Sequence, residues 1–140
     1  MKKALLQVIT CLTFTLAMGH AQAQDAADSA AEAAGGHLGA VYMLHAVKKT
    51  QCGYALLLDV EDLSRKVEQD VLRTLPPKYR KDVLGGISTL KQQSPSDVAK
   101  YIKDLEGKFD DKTRCGLVVG MYIGIHIEFV KAWERAKKTL

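Results

Sequence analysis

The run CGLVVGMYIGIHI (115–127) decides the fold class. It holds no Asp, Glu, Lys or Arg, and a helix that is apolar on nearly every side is one that other elements surround. It is about two-thirds of the roughly 20 residues that a membrane span requires, and Arg114 and Glu128 bracket it. The run therefore reads as the central helix of a bundle. Working upstream, Val98, Tyr101, Ile102, Leu105 and Phe109 form an amphipathic stripe, and Ser94-Pro95-Ser96-Asp97 reads as its start, with Ser94 at the cap. Tyr79, Val83, Ile87 and Leu90 recur at helical spacing, with a break expected at Gly85-Gly86. Leu63, Val67, Val71 and Leu75 repeat every fourth residue until Pro76-Pro77 stops them. Leu38, Val41, Tyr42, His45, Cys52 and Leu56 form the first stripe, which Gly53 bends or interrupts. No segment alternates with period two. The expectation is all-α: a compact bundle of four to five helices with one disulfide and a long C-terminal central helix.

The N-terminus reads as an export signal. Lys2 and Lys3 give a positive start, Ala4 to Met18 is uncharged and mostly apolar, and Ala21-Gln22-Ala23 is a small-residue cleavage site. Residues 1–23 are thus expected as a cleavable signal peptide, 24–36 as a flexible Ala-rich tail with no apolar face to bury, and 37–140 as a single helical domain. Cleavage leaves 18 Lys and Arg against 16 Asp and Glu, a net charge of +2 spread evenly along the chain. That balance excludes nucleic acid as the implied partner. With Cys11 lost in the leader, only Cys52 and Cys115 remain, and an even pair in an oxidising compartment is expected to be bridged.

The bridge has a consequence for side chains. Cys52 shares a face with His45, and Cys115 shares one with Tyr122 and His126. Joining antiparallel helices there brings Tyr42, His45, Tyr122 and His126 toward one polar cluster, suited to a metal, a proton switch or a small ligand. Two core histidines satisfied by tyrosine hydroxyls and backbone carbonyls is the stronger reading, and no acid lies on either stripe to complete a metal site. Gly116, Gly120 and Gly124 line the opposite side of the last helix, a strip for close packing inside the monomer or for a homodimer seam. His37 is expected to be exposed, and Asp59, Glu61 and Asp62 to cap and solvate a helix start.

No nucleophile elbow, phosphate loop, C-x-x-C or H-E-x-x-H motif is present. The chain reads as a non-enzyme with no cofactor and no metal, and as a periplasmic protein that binds another protein with a helical surface or a loop between helices. In layout alone it is similar to exported immunity proteins that neutralise cell-wall-degrading effectors, which are small, helical and bridged; no motif of theirs carries over residue by residue. Lys78, Tyr79, Arg80 and Lys81 combine three cations with an aromatic and form the expected partner contact. The alternatives are a periplasmic chaperone or stress protein, and a small-molecule or metal carrier built on His45 and His126. Stable membrane insertion after cleavage is not expected.

Overall fold

The computed structural model describes the backbone from Lys2 and the side chains from Gln22 to Leu140. Among the described residues four α-helices follow one another: α1 (Lys2–Lys48), α2 (Val60–Thr74), α3 (Arg80–Asp104) and α4 (Asp111–Lys137), with short 3-10 turns at Gly53–Ala55 and Pro77–Tyr79. Among the described residues there is no strand. The all-helical bundle, the long last helix and the Cys52–Cys115 disulfide are as the sequence indicates. The leader read over 1–23 lies, up to residue 21, outside the described side chains.

Three local expectations need correcting. Residues 24–36 are no loose tail. They continue α1, and Ala27, Ala30 and Ala34 are buried in the core. Alanines three and four apart make a smooth helical face that neighbouring helices can approach closely, so a segment without large apolar side chains still packs. The second correction is α3, which runs unbroken through Gly85-Gly86 and Pro95, with Ser94 buried mid-helix instead of capping a new one. Proline removes one helical hydrogen bond, and burial of Ile87, Val98 and Ile102 on a single face offsets that loss.

The third concerns the centre of the bundle. α1, not α4, packs against each of the other three helices. α4 buries Cys115, Val118, Val119, Tyr122 and Trp133 on one side, while Leu117, Ile125 and Ile127 face outward. Its length and apolarity match those of a membrane span, yet only 22% of that stretch is buried in the bundle. The core has two ends. Leu44, Val47, Leu56, Val98, Ile102 and Val118 surround the disulfide, and Ala30, Ala34, Val41, Val71, Ile87 and Trp133 close the other end.

α2 begins where the sequence indicates, with the Asp59 carboxylate accepting from the Asp62 amide at 3.0 Å. α4 starts in the same way: the Asp110 carboxylate accepts from the Thr113 amide at 3.0 Å. Each cap satisfies an amide that the first helical turn leaves without a partner. The α3–α4 turn uses Gly107 at φ +74°, a left-handed conformation that glycine adopts without a Cβ clash.

Candidate functional site

Two features stand out at the α1–α2 end. The first is the connection from Gln51 to Asp59. Cys52 is fully buried and bonded to Cys115, 63 residues on. Leu56 is buried in the core, and Lys48 Nζ donates to the Leu56 carbonyl at 2.7 Å and to the Gly53 carbonyl at 3.3 Å. Gly53 is required here, since a Cβ at that position would stand 2.1 Å from the Lys48 carbonyl oxygen. Between these anchors, Tyr54 is 66% exposed, Leu57 94% and Leu58 41%. Leucines normally surrender that much apolar surface to a core. Here the chain holds the surface out on a loop pinned by a disulfide, a buried leucine and an amine clamp.

The second feature is a polar cleft of about 220 Å³ between α1, α2 and α3. Glu61 and Glu68 lie two turns apart on α2, about 10 Å along its axis. His45 Nε2 meets Glu61 Oε1 at 2.7 Å, and the Tyr42 hydroxyl donates to Glu68. Lys91 Nζ sits 3.6 Å from the same Glu68 carboxylate and 5.4 Å above the Tyr42 ring. Ser94 lines the cleft, is 2% exposed, and its Oγ has no hydrogen-bond partner. The cleft opens into a shallower acidic groove along α2 that includes Asp59 and Asp62.

The polar cluster expected from Tyr42, His45, Tyr122 and His126 does not assemble. Tyr42 and His45 turn toward α2, with ring centroids 6.3 Å apart. Tyr122 packs edge-on against Tyr101 at 6.0 Å, and burial raises its hydroxyl pKa above the ordinary value. His126 stacks on His37 at 5.5 Å, with the rings within 18° of parallel. The helices are antiparallel as expected, but His45 lies eight residues beyond His37 on α1. That is about 12 Å along the axis and 80° around it, so His126 meets His37 instead.

His37 is 6% exposed, not on the surface as its flanking glycines suggested. The Nδ1 atoms of both rings in this pair are buried without a partner. Burial, reinforced by the neighbouring His126, lowers the His37 pKa to about 4. Burial also lowers that of His126. Close by, Asp70 accepts from the Trp133 indole at 2.7 Å and from Lys137 at 3.1 Å. Desolvation raises its carboxyl, but those hydrogen bonds outweigh it and hold the pKa below the usual value.

Of the basic cluster, Lys78, Arg80 and Lys81 are exposed and Tyr79 is half-buried. Lys78 Nζ donates to Gln24 Oε1 at 2.5 Å, and the Tyr79 hydroxyl donates to Asp28. Both tie the start of α3 to α1. Gly116, Gly120 and Gly124 face solvent, with nothing within 4 Å of where a Cβ would stand. They form no close-packing strip inside the monomer. Sequence reasoning missed Glu68, Lys91 and Ser94 because the first lies on α2 and the other two on α3, and no local pattern shows those helices facing one cleft. It also missed the exposed leucines, although three consecutive leucines (56–58) between helices were a readable signal.

Among the described residues no group of three His, Cys, Asp or Glu side chains converges to hold a metal. No protein-family model, curated protein or solved structure matches this chain.

Proposed function

We propose that this chain is an exported, periplasmic protein that binds another protein and blocks it by seating the Gly53–Asp59 loop in a concave, apolar-lined cleft of the partner. The observation that carries the reading is Leu57, 94% exposed on a loop whose anchors are buried and covalently bridged. Binding energy concentrates in a few apolar and aromatic anchors that become fully desolvated. A loop already held in shape loses little entropy on docking. Tyr54, Leu57 and Leu58 have that character, and an inhibitor of an enzyme cleft must project such groups instead of presenting a flat face. The partner class that fits the export signal and the bridge is a cell-wall-degrading effector, with this chain as its immunity protein or inhibitor. Lys78, Arg80 and Lys81 remain a secondary contact for an acidic rim.

A second reading, a periplasmic chaperone, is favoured by one observation: the uncovered apolar side of α4, with Leu117, Ile125 and Ile127 facing outward.

The test is affinity capture from envelope extracts with the disulfide-bonded protein and its Leu57→Asp variant. One stoichiometric partner is expected, with affinity for the variant reduced roughly 30-fold or more and the variant's melting curve unchanged. Equal capture by both proteins overturns the loop assignment. A broad set of unfolded clients instead of one partner favours the chaperone.

A further inference from the structure

The α1–α2–α3 cleft holds groups that neither folding nor the loop explains, and Ser94 is the clearest. Its side chain is buried to 2% exposure with no hydrogen-bond partner. A serine inside a helix ordinarily turns its hydroxyl onto the carbonyl four residues back, as Thr89 does onto Gly85 at 3.1 Å. Leaving a buried hydroxyl unpaired is costly. The next residue adds to the oddity: Pro95 has no N–H, so it cannot donate to the Lys91 carbonyl in the helix ladder. Ser94, Pro95 and Lys91 all line the cleft.

The remaining walls carry charge of both signs in equal number. Glu61 and Glu68 come from α2, Lys91 from α3, and Lys49 from the turn that follows α1. The Lys91–Glu68 ion pair, at 3.6 Å, is longer than a hydrogen bond and its lysine is more than half exposed, so a ligand can exchange with it by moving the Lys91 side chain aside. Tyr42 and Lys91 both address Glu68 Oε1, and His45 addresses Glu61 Oε1, so these contacts do not use Oε2 of either carboxylate. The volume of about 220 Å³ corresponds to roughly seven waters at about 30 Å³ each.

We propose that this cleft, where the Glu68–Lys91 ion pair stands beside the unpaired Ser94 hydroxyl, binds a small zwitterion: a ligand of amino-acid size with one ammonium and one carboxylate. The ammonium donates to Glu68, the carboxylate accepts from Lys91, and Ser94 Oγ supplies a neutral hydrogen bond at the buried end, with Glu61 and Lys49 further along the cleft. A simple anion would meet two carboxylates and a simple cation two ammonium groups, so only a ligand with both charges satisfies the lining. The site is separate from the Leu57 loop and stands or falls without it.

The probe is L-alanine, titrated into the folded, disulfide-bonded protein and followed by amide chemical shifts, with acetate and methylammonium titrated separately. Saturable shifts at millimolar L-alanine, confined to residues around Tyr42–Lys49, Glu61–Glu68 and Lys91–Pro95, are expected, with neither half-ligand reproducing them. No saturable shift with L-alanine overturns the proposal, as does an equal response to acetate or to methylammonium alone. Ser94→Ala separates ligand binding from structure: its melting temperature should hold or rise, because a buried unpaired hydroxyl is removed, while affinity falls roughly three- to tenfold. Unchanged affinity in that variant removes Ser94 from the site, and unchanged affinity in Lys91→Met as well rejects the site itself.

Discussion

At the scale of single residues, the buried imidazole pair makes stability depend on pH. The His37 pKa stands at about 4 in the folded protein against an ordinary 6.5, chiefly because burial penalises the charged ring. A depressed histidine means that the unfolded chain binds the proton first. The stability it allows is complete above pH 6.5, declines as pH falls toward 4, and changes no further below that for this group. The loss amounts to about 3 kcal/mol, at 1.36 kcal/mol per pH unit. His126 shifts in the same direction and steepens the decline. The groups facing His37 are His126, Asp70, Lys137 and Glu134. Urea midpoints measured between pH 7.5 and 4 should fall along this window, and His37→Gln should flatten the slope; an equal slope in the variant would assign the effect elsewhere. Neither the pairing nor the burial of His37 was legible in sequence, since two glycines beside a histidine resemble a loop. Ser94 misled for a similar reason. A serine before a proline has the local form of a helix start, and only burial beside α1 and α2 makes it an interior residue.

At the scale of the element, α4 is the helix whose reading changed most. Its uncharged run implies neighbours on every side, whereas the fold covers one side and leaves the glycine strip open. Hydropathy alone does not distinguish a surrounded helix from one with an uncovered apolar face. The strip gives a direct prediction. With nothing within 4 Å of the Cβ positions, Gly116→Ala, Gly120→Ala and Gly124→Ala should each stabilise the monomer by about 0.5–1 kcal/mol through helix propensity, read from urea unfolding at low protein concentration. A loss of stability at any of the three would mean that the strip packs closely against something. α3 shows the opposite lesson. Gly85-Gly86 and Pro95 are locally unfavourable in a helix, yet Ile87, Val98 and Ile102 keep one continuous buried face. Packing outweighs propensity there.

At the scale of the whole molecule, the disulfide joins the end of α1 to the start of α4 and fixes both the antiparallel pairing and the projecting loop. Closing 63 residues of chain is worth about 4 kcal/mol in the chain-entropy model. The Cys52→Ala, Cys115→Ala double variant should therefore unfold at markedly lower urea, and it should lose partner binding even under conditions where it stays folded, because the loop is released at one anchor. Retained affinity in a folded double variant would show that the bridge does not hold the loop in its binding shape. The sequence by itself determined the helical class, the ends of α2, the cap at Asp59 and the pairing of the two cysteines. Each follows from short-range periodicity, from a terminal side chain bonding a nearby amide, or from there being one partner to choose. Only the tertiary structure decided that α1 is the hub, that His126 meets His37, that Leu57 stands in solvent, and that Glu68, Lys91 and Ser94 share a cleft. Those outcomes depend on the rotation and offset of one helix against another, which the packing of the whole core sets and no local pattern encodes.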